Sequence, residues 1–117
     1  MRYQVIEAKE KAIAIARAAL EKKAEDTIVL EVGHITTIAD YFVICSGNTA
    51  RQVKAIADEI DFKLSNDRVY PHHVEGVHDC RWVLMDYSDV VVHVFELETR
   101  GYYDLDGLWG DAPEVKF

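Results

Sequence analysis

The sequence WVLMDYSDVVVHVF, at residues 82–95, gives the clearest structural signal in this chain. It contains two runs rich in β-branched and aromatic residues, joined at Ser88 and Asp89, where turn-forming residues favour a hairpin. Successive side chains of a β-strand point to opposite faces of the sheet. In the first run, one face therefore carries Val83, Met85 and Tyr87, and the other carries Trp82, Leu84 and Asp86. Because both faces are mainly apolar, both must be covered by something, either the rest of the chain or a partner.

The sequence around this hairpin predicts a mixed β-sheet flanked by helices, which is the α/β class. Apolar residues recur at helical spacing in two segments, and Asn48 or Thr49 is the expected N-cap of the second helix. The predicted elements are a helix at residues 3–25, strands at 27–32 and 41–45, a helix at 49–65, a short strand within 68–80, the hairpin, and a short helix near 97–103.

Length and charge restrict the functions that this chain can have. With 117 residues, 50% hydrophobic and 29% charged, it is predicted to be one globular domain spanning residues 1–117. The net charge of -8 opposes binding to nucleic acid and suits a basic protein partner. The N-terminus has no signal-peptide pattern, and no apolar run approaches the ~18 residues of a membrane span. We therefore expect a cytoplasmic protein without a membrane partner.

The junction between the strand at residues 41–45 and the second helix is a candidate anion site. Ser46, Gly47 and Asn48 would bring backbone N–H groups and a helix N-terminus together, as phosphate-binding loops do. The loop has a single glycine and no lysine directly after it, so a capped strand-to-helix turn is the favoured alternative. With the nearby Asp40, the loop forms the basis of an enzyme hypothesis in which the domain handles a nucleotide or phosphate.

Carboxylate and imidazole groups are the candidate metal ligands. They are Asp104 and Asp106, Asp86 and Asp89, and the group His72, His73, His78 and Cys80. The aspartates follow a helix or flank a turn, and the last group lacks the spacing of a zinc motif. Ordinary turn and surface-loop roles are favoured, so no metal site and no cofactor are predicted.

Two potentially reactive side chains lack the surroundings of a catalytic group. Cys45 lies in an apolar run, which predicts an inert core thiol. His93 lies between two strand valines, which favours a structural role over that of a general base. We therefore predict no catalytic residue and no enzyme activity.

The aromatic residues in the last third of the chain indicate a binding surface. They are Trp82, Tyr87, Phe95, Tyr102, Tyr103, Trp109 and Phe117. A core of this size cannot easily bury all of them together with a hairpin that is apolar on both faces. Because tryptophan and tyrosine are common interface anchors, we expect some of these residues to contact a partner.

Four stretches of the sequence resemble the Iojap-like family, the bacterial ribosomal silencing factors called RsfS. They are ADYFVICSGNTARQVKAIADEI at residues 39–60, EG at 75–76, WVLMDYSDVVVHVF at 82–95 and RGYYDLDGLWGDAP at 100–113. Together with the N-terminal helix, the resemblance covers nearly the whole chain. It implies an α/β fold of the nucleotidyltransferase-like kind, without demonstrated transferase chemistry.

The resemblance also implies a function and a contact surface. Family members bind ribosomal protein fourteen of the large subunit and sterically block joining of the small subunit, which lowers translation when nutrients are scarce. They also tend to form homodimers, and our hypothesis is that the dimer and ribosomal faces are shared. The residues that we predict to contact the partner are Trp82, Leu84, Asp86, Tyr87, Asp89, Tyr103, Leu108 and Trp109. The alternatives are a nucleotidyltransferase-like enzyme and a homodimeric assembly factor of the large subunit.

Two positions depart from the family pattern. The family usually has glycine in the hairpin turn where this chain has Ser88, and glycine tolerates a positive φ more readily than serine. The family commonly has glutamate where this chain has Asp106, which keeps the charge and shortens the side chain by one methylene.

Overall fold

The order of helices and strands follows the sequence prediction, with two short additions near the C-terminus. The computed structural model describes residues 7–117. Its elements are α1 (Ala8–Glu21), β1 (Glu25–Glu31), β2 (Tyr41–Gly47), α2 (Ala50–Asn66), β3 (His73–Glu75), β4 (Trp82–Asp86), β5 (Val90–Glu96), α3 (Leu97–Tyr103), α4 (Leu105–Leu108) and β6 (Glu114–Val115). The additions are α4 and β6.

The first helix is shorter than the sequence pattern predicts. It ends at Glu21 instead of residue 25 because Lys23 adopts a left-handed φ of 61°. The Ala24 N–H then donates to the Ala19 carbonyl at 3.2 Å, a bond that closes the helix C-terminus. Residues 3–6 of the predicted helix lie outside the described residues.

The strands form a six-stranded sheet in the order β3-β4-β5-β2-β1-β6. The central pair, β2 and β5, is parallel, and the other neighbouring pairs are antiparallel. In the hairpin, Trp82 lies opposite Phe95, and Asp86 lies opposite Val91. Side chains of β4 and β5 are therefore distributed between the two faces of the sheet as the predicted alternation requires. This mixed sheet with its helices confirms the predicted α/β class.

Helices α1 and α2 cover one face of the sheet. The buried stripe of α2 is the predicted one: Val53, Ile56, Ala57, Ile60 and Leu64. The hairpin contributes Val83, Met85, Tyr87, Val90, Val92 and Val94 to this helix-side core. Full burial of one aliphatic side chain of this size stabilises the fold by roughly 1.5–3 kcal/mol, so the helix side supplies much of the folding free energy.

The C-terminal segment covers part of the opposite face. A second core lies there, built from Leu30, Val32, Ala39, Phe42, Ile44, Val91, Phe95 and Ala112. Leu105 and Trp109 pack against this core from the C-terminal segment, and Trp82 and Leu84 do so from β4. β6 pairs with β1 and returns the end of the chain to the sheet. This face therefore combines segments that are far apart in sequence.

A buried arginine holds the C-terminal segment against the sheet. The Arg100 guanidinium donates to the two carboxylate oxygens of Asp106 at 3.1 and 2.8 Å. It also donates to the Ser46 hydroxyl at 2.9 Å and to the Asp26 carbonyl at 2.7 Å. Because a planar guanidinium can serve several acceptors in fixed directions, one side chain links α3, α4, β2 and β1.

The hairpin turn contains a residue in a strained conformation. Ser88 has a φ of 75°, in the region that favours glycine. Its backbone N–H donates to Asp86 Oδ1 at 2.8 Å, and the Asp89 N–H donates to the Tyr87 carbonyl at 3.1 Å. The second of these bonds closes a γ-turn centred on Ser88. Serine thus adopts the backbone conformation for which glycine is better suited.

Candidate functional site

Most of the predicted contact residues lie on the sheet face opposite the helices. Trp82, Leu84 and Trp109 pack against the second core and stay partly exposed. Asp86 lies on the same face of β4 as Trp82 and Leu84. Tyr103 contacts Trp82, and the side chain of Leu108, next to Trp109, is 72% exposed. We call this set, Trp82, Leu84, Asp86, Tyr103, Leu108 and Trp109, the aromatic face.

Trp82 is held in place by three neighbours. Its indole Nε1–H donates to Nδ1 of His93 at 3.2 Å. Its ring stacks on Phe95 with centroids 4.9 Å apart and contacts Tyr103 at 4.8 Å. Because the indole N–H is already used inside the protein, Trp82 can offer a partner its apolar ring but not its hydrogen-bond donor.

His93 supports the aromatic face from beneath. It is 5% exposed, and burial lowers its pKa to about 4, so the ring is neutral near pH 7. Nδ1 accepts the bond from Trp82, while Nε2 is buried and has no hydrogen-bond partner among residues 7–117. These contacts give His93 the structural role that the sequence predicts.

The C-terminal part of the aromatic face is fixed by Trp109. Its ring meets that of Phe42 edge-on, with centroids 5.1 Å apart and planes at 89°. Such aromatic pairs stabilise a fold by roughly 0.5–1.5 kcal/mol in addition to the effect of burying their surface area. Trp109 therefore stabilises the fold as well as forming part of the surface. Leu108 next to it points an apolar side chain towards solvent.

The structure corrects the prediction for Tyr87. This side chain is 2% exposed and belongs to the helix-side core, on the face that Val83 and Met85 also occupy. Its hydroxyl is buried with no hydrogen-bond partner in the described part of the chain, and burial raises its pKa. Tyr87 cannot touch a partner in this conformation, so it is excluded from the aromatic face.

Asp89 is also engaged away from the aromatic face. Its carboxylate accepts a hydrogen bond from Lys11 Nζ of α1 at 2.7 Å, in a partly exposed ion pair. Its carbonyl accepts from the N–H groups of Asp40 and Tyr41 at 2.8 and 3.1 Å. Asp89 therefore ties the hairpin turn to α1 and to the start of β2.

Two polar groups of the candidate anion loop are engaged by the protein itself. The Ser46 hydroxyl accepts from Arg100, and the Asn48 N–H donates to the Gln52 side-chain oxygen at 2.7 Å. The Gln52 N–H donates in turn to Thr49 Oγ1 at 3.1 Å, which makes Thr49 the N-cap of α2. These contacts describe a capped strand-to-helix turn.

The candidate metal ligands do not converge. Asp106 is paired with Arg100, which lowers its pKa by hydrogen bonding, and Asp104 accepts from the Gly107 N–H at 3.1 Å. His73 contacts Glu75, and the Cys80 thiol donates to a backbone carbonyl. Across residues 7–117, no group of three or more His, Cys, Asp or Glu side chains is arranged to hold a metal ion.

Among the helices of residues 7–117, none has the length and apolar character to cross a membrane.

The predicted contact set leaves out three residues near Trp82: Tyr102, which the sequence places only among the aromatic candidates, and Glu96 and Glu98. Tyr102 is 82% exposed and meets Tyr103 edge-on at 5.1 Å. Glu96 and Glu98 lie next to them at the start of α3. The available signal was the adjacent pair Tyr102–Tyr103 on a short helix, since one face of a helix cannot bury two consecutive residues.

Comparisons with known proteins agree on one family. The family model described as "Ribosomal silencing factor during starvation", RsfS, matches residues 5–117. The chain is 48% identical over 102 residues to the ribosomal silencing factor RsfS of Bacillus subtilis (strain 168), covering 86% of each protein. A crystal structure of a Chromobacterium violaceum protein matches with a TM-score of 0.87 at 34% identity, covering 96% of this chain and 92% of that one. A Bacillus halodurans crystal structure matches with a TM-score of 0.82 at 38% identity, covering 93% and 99%. The chain therefore belongs to the RsfS family of ribosomal silencing factors.

Proposed function

We propose that this protein silences ribosomes in the cytoplasm by binding the large subunit and sterically blocking the small subunit from joining. Translation would then fall under nutrient limitation. The proposed contact is ribosomal protein fourteen of the large subunit. Membership of the RsfS family and the names of the relatives support the silencing role, and the aromatic face supports the mode of contact.

The observation that carries the proposal is an apolar surface held on a rigid support. Trp82 and Leu84 are half-buried on β4, the exposed Tyr103 contacts Trp82, and Leu108 is exposed next to Trp109 in the sequence. Binding energy in protein interfaces concentrates in a few preorganised aromatic and aliphatic groups. A surface of this kind can anchor an interface of about 1,600 Å², the usual size for a specific complex.

Charge favours a basic partner. The protein carries a net charge of -8, and Asp86 lies on the same face of β4 as Trp82. Ribosomal proteins that contact RNA are rich in Lys and Arg, so opposite potentials would speed the encounter. Blocking then needs no chemistry, since the bound protein occupies the volume that the other subunit requires.

When it is free, the protein is proposed to pair with a second copy through the same face. Such pairing would cover the exposed Tyr103 and Leu108 and would compete with binding to the ribosome. The shared face predicts that one substitution weakens both interactions. Leu84→Ala is the suitable change, because Leu84 is half-buried and its loss leaves the helix-side core intact.

Co-sedimentation tests the silencing proposal. Purified large subunits should retain the protein, and adding it before small subunits should reduce the joined fraction. Leu84→Ala should weaken binding at least tenfold, as expected for an interface hot spot. Leu20→Ala, a matched leucine exposed on α1, should bind as the unchanged protein does. Equal sedimentation with joined ribosomes and with large subunits would contradict the steric block.

Sedimentation velocity of the same two variants tests the shared face. Leu84→Ala should shift the free protein towards monomer, and Leu20→Ala should not. Loss of the dimer with ribosome binding unchanged would show that the two faces are separate.

A further inference from the structure

A cleft of about 560 Å³ lies beside the aromatic face, between the start of β4 and helix α3. Its lining includes the rings of Trp82, Tyr102 and Tyr103 and the carboxylates of Asp79, Glu96 and Glu98. We infer that this cleft receives a lysine or arginine side chain of the partner and thereby distinguishes a basic protein from a second copy of this chain. The inference rests on the proposed function and specifies the chemistry of part of its contact surface.

The aromatic wall of the cleft suits a cation. Tyr103 contacts the ring of Trp82 at 4.8 Å, and Tyr102 meets Tyr103 at 81° between ring planes. These rings therefore form a corner of π-surface, and Tyr102 is 82% exposed on it. An ammonium or guanidinium group is attracted to the face of such a ring when it lies within about 6 Å of the centroid.

The carboxylates of the cleft have no salt-bridge partner in the part of the chain that the structure describes. Among residues 7–117, Asp79, Glu96 and Glu98 form none of the ion pairs between acidic and basic side chains. Three carboxylates and the single guanidinium of Arg81 leave the lining with two net negative charges. A cation entering beside the aromatic wall would gain attraction from both the rings and the carboxylates.

The charge of the cleft also distinguishes the two partners proposed for the aromatic face, which are a basic ribosomal protein and a second copy of this chain. A second copy of this chain has a net charge of -8, so its approach to an acidic cleft is unfavourable overall. A basic ribosomal protein can place a Lys or Arg side chain there. Because Trp82 and Tyr103 belong to both the cleft and the aromatic face, one footprint can use the apolar groups and the cleft together.

The test uses purified large subunits and the double variant Glu96→Gln, Glu98→Gln. Neither carboxylate makes a capping hydrogen bond in α3, so the fold should persist, as a thermal melt will check. Exposed ion pairs are weak individually, so we expect affinity to fall roughly three- to tenfold, with a shallower dependence on potassium chloride. Dimerisation of the free protein should stay the same or become tighter. Glu10→Gln with Asp67→Asn, two exposed acidic residues outside the cleft, removes the same charge as a control.

A second pair of variants tests the aromatic wall. Tyr102→Leu keeps an apolar side chain and removes the ring, and Tyr102→Phe keeps the ring. Binding to large subunits should weaken roughly two- to fivefold in Tyr102→Leu and stay near normal in Tyr102→Phe, as a cation–π contact requires.

The outcomes separate the two proposals. If the unchanged protein fails to bind large subunits, the proposed function fails and the cleft loses its partner. If the unchanged protein binds, but the double glutamine variant has the same affinity and salt dependence, the cleft inference alone is overturned. Equal binding by Tyr102→Leu and Tyr102→Phe would also overturn it.

Discussion

The indole nitrogen of Trp82 donates a hydrogen bond to Nδ1 of His93 across the β4–β5 pair, at 3.2 Å. The two residues share one face of the sheet, since Trp82 lies opposite Phe95 and His93 lies opposite Leu84. Nδ1 can accept this bond only while it carries no proton. The ring of Phe42, 5.1 Å from that of His93, offers no charge that would stabilise imidazolium. The orientation of Trp82 therefore depends on a neutral His93.

We expect the free energy of unfolding to decrease as the pH is lowered through the weakly acidic range. Burial lowers the pKa of His93 from its usual 6.5 to about 4. Between these values the unfolded chain binds a proton that the folded chain does not bind. The contribution of the neutral ring is thus complete above pH 6.5 and is lost as the pH falls towards 4. The loss should reach about 3 kcal/mol, measured by urea unfolding at a series of pH values.

His93→Gln is the matched control for this pH dependence. Its side-chain oxygen can still accept from Trp82, and it does not titrate in this range. The variant should lose the pH dependence between 6.5 and 4. The indole N–H of Trp82 should exchange slowly with solvent in His93→Gln and faster in His93→Leu, as observed by NMR. An unchanged pH profile in His93→Gln would assign the effect to another group.

Ser88→Gly should stabilise the protein. Ser88 has a φ of 75°, which costs a residue with a Cβ roughly 1–2 kcal/mol relative to glycine. Part of this gain is offset because glycine has more freedom in the unfolded chain, so we expect a net gain of about 0.5–1 kcal/mol. Thermal unfolding measures the change. Ser88→Ala keeps the Cβ and should not gain stability, and equal stability of the two variants would show that φ is not the cause.

Loss of the Arg100 guanidinium should destabilise the C-terminal segment. Arg100→Met leaves Asp106, the Ser46 hydroxyl and the Asp26 carbonyl without their donor. We expect a loss of about 2–3 kcal/mol, below that of a fully buried pair because Asp106 is partly exposed. Amide exchange should accelerate mainly in residues 97–117. Lys54→Gln, which breaks the exposed pair with Asp58, should leave both measurements unchanged.

The contact between Arg100 and Asp106 should make the free energy of unfolding depend on pH in a lower range than His93 does. Hydrogen bonds from Arg100 lower the pKa of Asp106, so the pair contributes stability above the ordinary Asp pKa of ~3.9. This contribution is lost as the pH falls through the lowered value in the folded state. Arg100→Met should therefore show less loss of stability in strong acid than the unchanged protein. An equal loss would mean that Asp106 does not respond to Arg100.

Local pattern predicts the elements of this fold well, but it does not predict contacts between distant segments. Alternation in the hairpin was enough to assign both faces, because a strand has a period of two and each face is buried. The burial of Arg100 was not predictable in this way, because arginine is usually exposed and its acceptors lie up to 74 residues away in sequence. The pairing of β6 with β1 rests on two residues, too few for a periodic signal.

In the aromatic face, too, local pattern predicts some features, and others depend on contacts between distant segments. Trp82 and Leu84 could be placed by alternation, and Trp109 by its aromatic character. The internal bond that consumes the indole donor of Trp82 required the position of His93 on the neighbouring strand. Tyr87 was the avoidable error. It shares the parity of Val83 and Met85, so the pattern that placed Trp82 on one face already placed Tyr87 on the other.

Tyr87→Phe should leave ribosome binding unchanged and should maintain or raise stability. The Tyr87 side chain belongs to the helix-side core, and its buried hydroxyl has no hydrogen-bond partner among residues 7–117. Removing an unsatisfied polar group while keeping the ring avoids its desolvation cost, so we expect a gain of about 0–1 kcal/mol in urea unfolding. Met85→Ala, a cavity-forming change in the same core, should cost about 2–5 kcal/mol and confirms that the assay senses this region. Weaker binding of Tyr87→Phe to large subunits, with folding intact, would return Tyr87 to the contact surface and require the hairpin to open on binding.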